Sequence, residues 1–170
     1  MEPPGEILGY IFHPSAKERL QFLLRFVAKS AMNDEGFITT NLDVYGEEEP
    51  WEIYSQGVAS GGLEDDDNYR YRYFITKKNK GENNGSWKQQ GEEMPIFFKI
   101  GNVSTPHVIG TKKKMHHVHE FGHWIMKQYQ LSPLYLSRFD EDRKDYVLCA
   151  MKREYIDECS FDETPTTRAS

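Results

Sequence analysis

The chain has 170 residues, 38% of them hydrophobic and 14% aromatic, which is enough to build one core in one domain. A formal net charge of -6 and a pI near 5.5 exclude a uniformly basic nucleic-acid binder, and two cysteines, Cys149 and Cys159, make neither a disulfide framework nor a four-ligand zinc site. No apolar run approaches membrane-spanning length and no basic-then-apolar leader follows Met1-Glu2-Pro3-Pro4, so the chain reads as intracellular and soluble.

Pro3-Pro4-Gly5 opens an extended arm, and His13-Pro14 halts the strand-like Gly9-Tyr10-Ile11-Phe12. Ser15-Ala16-Lys17-Glu18 has capping-box spacing, and Leu20, Leu23, Leu24 and Val27 follow at helical intervals, so an amphipathic helix is predicted from Ala16 to Lys29. Ile38 to Tyr45 alternates weakly, and Pro50-Trp51 after the acidic Glu47-Glu48-Glu49 turn is read as anchoring a loop to the core. Ser55 to Asn68, rich in Gly, Ser and Asp, is a predicted exposed loop. Tyr69 to Thr76 alternates as a strand should, with Tyr69, Tyr71, Tyr73 and Ile75 on one core-facing side.

Lys77 to Gly85 is a basic turn leading into Ser86-Trp87-Lys88-Gln89-Gln90-Gly91. Strands are expected over Met94–Ile100, Val108–Met115, Trp124–Leu131 and Tyr146–Met151, with a turn at Gly101-Asn102 and a loop from Ser132 to Lys144. Cys149 falls in an apolar strand and reads as a buried free thiol. One helix followed by many short strands is an α+β domain built on an antiparallel sheet over residues 1–156, with a short acidic tail over 157–170.

Two constellations carry chemistry. In the first, Trp87 packs inward while Lys88, Gln89 and Gln90 offer a cation and two amides outward, and lysine clusters at Lys77, Lys78, Lys80 and at Lys112, Lys113, Lys114 add positive charge. Lysine takes phosphate, and Gln donates and accepts together at an adenine edge; the plain alternative is a surface strand with one core tryptophan. In the second, His119-Glu120-Phe121-Gly122-His123 fits the HExxH pattern, which on a helix sets two zinc ligands on one face with the glutamate as base and Glu141 as a third ligand. His116 and His117 make a chance match in this histidine-rich stretch the simpler account, so no catalytic residue, metal or cofactor is assigned.

Five blocks in order resemble the NAC domain (NAM/ATAF/CUC), the DNA-binding domain of plant transcription factors. They are Pro3-Pro4-Gly5 with Gly9 to Ser15; Leu42 to Tyr45 with Glu49 to Glu52; Tyr73-Phe74 into Lys77-Lys78, then Gly85 to Gly91; Ile109 to Lys113 with Trp124 to Leu131; and Asp145 to Cys149. The resemblance implies a twisted antiparallel β-sheet packed between helices, a Trp87-Lys88 strand that enters the DNA major groove, and lysines that grip phosphates. It also implies double-stranded DNA as partner, homo- or heterodimers with other NAC proteins and a nuclear location, with Tyr10, Ile11, Ser15 and Glu18 falling in the dimerisation block. Three departures mark this chain: Gln89-Gln90 replaces a small Ala-Thr pair, Glu92-Glu93 follows the groove strand, and Ile11 stands where the family has the arginine of a dimer ion pair. They motivate an alternative, a NAC-like dimerisation partner with weak or no DNA binding.

Overall fold

The computed structural model describes residues 12–60, 71–78, 87–99, 105–119, 122–139 and 141–154. The expected arm at Pro3-Pro4-Gly5, the strand-like segment through Ile11, the turns around Lys80 and Gly101-Asn102, most of the Ser55–Asn68 loop and the acidic tail lie outside these residues.

Helix α1 spans Ala16–Val27, and its start is the predicted capping box: Ser15 Oγ accepts from the Glu18 backbone N–H at 3.2 Å, and Glu18 Oε1 accepts from the Ser15 N–H at 2.8 Å. It stops two residues before Lys29. Lys29 takes a φ of 60°, and the N–H groups of Lys29 and Ser30 turn back onto the carbonyls of Phe26 and Arg25, a left-handed cap that closes the helix.

Pro50–Gln56 forms a second helix, α2, where a core-anchored loop was expected. Proline at the first helical position is pre-set for the helix, and Glu49 and Glu52 cap each other reciprocally. Pro50 and Ile53 are buried, whereas Trp51 is 37% exposed, so it is not a core residue. A short helix α3, Pro133–Leu136, and a 3-10 turn, Glu141–Arg143, break up the predicted loop after Ser132.

Seven strands are described: β1 Ile38–Thr39, β2 Arg72–Lys77, β3 Lys88–Gln89, β4 Met94–Phe98, β5 His107–His119, β6 Gly122–Leu131 and β7 Tyr146–Glu154. They form one open sheet in the order β1-β2-β7-β6-β5-β3, with β4 also on β5. Among the described residues the pairing is antiparallel, as expected of this α+β fold, except for the short β1 on β2, which is parallel and makes the sheet mixed.

The sheet is covered on both faces, as the sandwich between helices requires. On one face Leu20, Leu23 and Val27 of α1 pack with Tyr71, Tyr73, Ile75, Tyr129 and Leu148. On the other, Val44 and Ile53 pack with Phe74, Trp87, Met115, Trp124, Met126 and Cys149. The alternation of β2 and of Tyr71 just before it places Tyr71, Tyr73 and Ile75 on the α1 face, as predicted; Tyr69 lies outside the described residues. Phe74 is also fully buried, because a central strand has no solvent side.

Arg19 ties α1 to the sheet. It is 4% exposed, and its guanidinium donates to the Tyr129 hydroxyl (2.7 Å), the Tyr73 hydroxyl (3.2 Å) and the Pro14 carbonyl (3.0 Å). It also lies 5.1–5.3 Å from the ring centroids of Tyr71, Tyr73 and Tyr129. Among the described residues no carboxylate meets it. Rings and hydroxyls thus stand where a carboxylate would ordinarily compensate a buried cation.

Candidate nucleic-acid interface

The Trp87-Lys88 segment is the edge strand β3, paired to β5 through Lys88 opposite His116 and Gln89 opposite Met115. Trp87 is 5% exposed, and its ring centroid lies 5.8 Å from that of His117, which also faces Trp51 at 6.3 Å. The indole thus anchors the strand to the second core, and Lys88, Gln89 and Gln90 are exposed as the sequence predicted, although the register puts Lys88 on the α1 face and Gln89 on the Trp87 face of the sheet edge. The Gln90 N–H continues the ladder to the Lys114 carbonyl at 2.8 Å.

Gly91, at a φ of 79°, then turns the chain out of the ladder, a left-handed conformation that a side chain would strain. Gln89 Nε2 donates to the Gly91 carbonyl at 3.0 Å, which ties this exposed side chain to the turn. Exposed Glu92 and Glu93 follow at once, so carboxylates flank the cationic edge.

The strand register sorts the lysines by face. Side chains alternate, and residues directly opposite on neighbouring strands share a face. Lys112 lies opposite Tyr129, Lys114 opposite Lys127, and Lys152 opposite Ile125. These lysines therefore share the α1 face of the sheet with Lys88, at its end away from the α1 core. Lys113 lies opposite Gln128 and so points to the other face, where the Tyr45 hydroxyl donates to Gln128 Oε1. The three consecutive lysines are split two and one, and Lys113 does not join the others.

Lys77 and Lys78 do not join them either. Lys77 pairs with Tyr146 at the far end of β2, and the Lys78 N–H donates to the Asp145 carbonyl at 2.6 Å. Four strand steps and six residue rows separate Lys77 from Lys88, on the order of 25 Å. Lys80, Tyr10 and Ile11 lie outside the described residues. Ser15 and Glu18, the other members of the dimerisation block, are exposed and engaged with each other in the α1 cap.

Two members of the basic face were missed from sequence, Lys127 and Lys152. Lys127 falls in a predicted strand and Lys152 just beyond one, and neither gives a local sign of clustering; only cross-strand pairing brings them to Lys112 and Lys114. Their ammonium groups both approach one ring, with Lys127 Nζ 5.5 Å and Lys152 Nζ 5.1 Å from the Tyr71 centroid. Burial, and then the charges of Lys112, Arg19, Lys114 and Lys152, push the Lys127 ammonium down to about 8.

The HExxH stretch is a β-hairpin, with Val118 opposite His123 and His119 opposite Gly122. Positions 119 and 123 therefore fall on opposite faces of the ribbon, and the shared helical face that a zinc peptidase motif needs does not form. His123 instead meets Glu154, Nδ1 to Oε1 at 3.2 Å, and its ring lies 5.7 Å from that of His116. Cys149 is fully buried, and burial holds its thiol up to about 12.

A family model described as No apical meristem (NAM) protein, which is the NAC domain, matches residues 7–131. The chain belongs to this family. Among curated proteins none matches at a significant level. NAC proteins are typically non-enzymatic, DNA-binding transcription regulators that form dimers and are generally nuclear. Among the described residues no helix of this NAC domain is long and apolar enough to cross a membrane.

Proposed function

We propose that this NAC domain binds duplex DNA sequence-specifically as a dimer in a plant nucleus, inserting the β3 edge into the major groove, and that residues 1–156 are the binding unit. The observation that carries this reading is the buried Trp87 behind an exposed Lys88-Gln89-Gln90 edge. Lys88 supplies a cation to phosphate or to a guanine edge, and Gln89 and Gln90 supply amide groups that can pair with base edges. Lys112 and Lys114 add salt-dependent attraction from the adjoining strand. No catalytic group is required by this mechanism.

A second reading, a dimerisation partner with weak DNA binding, is favoured by exposed Glu92 and Glu93, whose charges repel a phosphate backbone close to the groove strand. One experiment separates the two. Selection from random duplexes at two salt concentrations should enrich one sequence class with the wild type. Lys88→Ala should weaken binding by about 1–3 kcal/mol if it reads a base, or lower the salt slope by about one if it meets a phosphate. No enrichment, together with heterodimers seen by light scattering, would select the second reading.

A further inference from the structure

Lys112, Lys114, Lys127 and Lys152 converge on one patch of the open sheet face. Lys127 and Lys114 are directly opposite on paired strands, so like charges stand about 5 Å apart at their Cβ atoms, an arrangement that destabilises a sheet. Arg19 approaches from α1, Tyr71 from the residue preceding β2 and Tyr129 along β6. His116, on β5, lies in the same cross-strand row as Lys152, and His123, on β6, lies in the next row on that face with Glu154. Glu154 is the acidic group on this face among the described residues, and it is held by His123. None of the four lysines meets a carboxylate within ion-pair distance among the described residues. Lys112, Lys127 and Lys152 are half-buried and Lys114 is exposed; mutually repelling cations with no anion of their own lower their energy when an oxyanion enters.

We propose that Lys112, Lys127 and Lys152, with the exposed Lys114 at the rim, form a phosphate-binding site, and that on the DNA-binding reading, on which its natural occupant depends, it holds a backbone phosphodiester beside the Lys88 edge. The occupant's charge stabilises the Lys127 ammonium, so binding takes up a proton from solvent at that atom.

The sign follows from linkage. With Lys127 titrating near 8 in the free protein and fully protonated in the complex, affinity falls by up to about tenfold between about pH 7 and about pH 9. A phosphodiester does not titrate there, so the change belongs to the protein. The test is fluorescence anisotropy of a labelled mixed-sequence duplex with the full chain at both pH values. Lys127→Arg keeps the charge throughout and should hold the affinity while flattening its pH dependence. Lys127→Met should bind about three- to tenfold more weakly at neutral pH with a salt slope lower by about one, and Lys152→Met should do the same.

A second arm uses inorganic sulfate, which keeps its charge over this range and reports through thermal melting. It should raise the melting temperature of the wild type more than that of Lys127→Met. Duplex binding unchanged by all three substitutions, in affinity, slope and pH dependence, overturns the site and leaves the DNA reading standing. No duplex binding by the wild type, together with a sulfate effect lost in Lys127→Met, overturns the DNA reading and leaves an oxyanion site. Loss of neither response in any variant overturns the site outright.

Discussion

Arg19→Met tests whether the buried guanidinium holds α1 on the sheet. The methionine keeps the apolar stem but removes every donor. The Tyr73 and Tyr129 hydroxyls and the Pro14 carbonyl, all in buried residues, then lose a partner. A buried polar group left without a partner costs about 1–3 kcal/mol, so the gross loss over three groups is about 3–9 kcal/mol. Removing a cation that has no carboxylate partner returns several kcal/mol of desolvation penalty. The net expectation is a destabilisation of about 2–3 kcal/mol, or roughly 5–10 °C in melting temperature for a domain of this size.

Urea unfolding followed by tryptophan fluorescence measures it, and repeating the substitution in a Tyr73→Phe background isolates the pairwise share. With one hydroxyl already gone, Arg19→Met should cost about 1 kcal/mol less. Stability within about 0.5 kcal/mol of the wild type in both backgrounds would refute the reasoning, because surface substitutions behave that way.

Further expectations concern alkaline stability and the split of the lysine run. Burial raises the Cys149 thiol from 9.0 to about 12 and the Tyr71 hydroxyl from 10.0 to about 12, so the stability these neutral groups contribute is complete below about pH 9 and is lost as pH rises toward about 12. The urea midpoint should fall across that window. With Cys159 replaced by Ser, thiol labelling at neutral pH should occur only on unfolding; rapid labelling of the native protein contradicts the burial. If register rather than sequence proximity governs DNA contact, Lys114→Ala should lower the salt slope of duplex binding by about 0.9 and Lys113→Ala should leave it unchanged. Equal effects of the two would show that the faces are not separated as the pairing requires.

Local signals carried much of the fold. The Ser15–Glu18 box and the Leu20, Leu23, Val27 spacing set α1 because capping and a 3.6-residue stripe act within one segment. Alternation in β2 and the inward Trp87 were legible for the same reason. Helix α2 was missed because its caps are glutamates, outside the usual Ser, Thr, Asp and Asn, and because Pro50-Trp51 resembles a loop anchor. The parallel β1–β2 pair could not be read from a two-residue strand with no periodicity of its own.

The candidate site divides the same way. By itself the sequence determined the membership of the family, through ordered blocks, and the local choice of which side of the Trp87-Lys88 strand faces in. It could not assign faces to Lys112, Lys113 and Lys114, because a one-residue change of register moves every side chain across the sheet. Tertiary pairing made that assignment: it set Lys113 apart, left Lys77 and Lys78 distant from Lys88, and brought Lys127 and Lys152, distant in sequence, beside Lys114. Their electrostatics belong to the sheet, because desolvation and like-charge crowding arise only when separate strands are packed edge to edge.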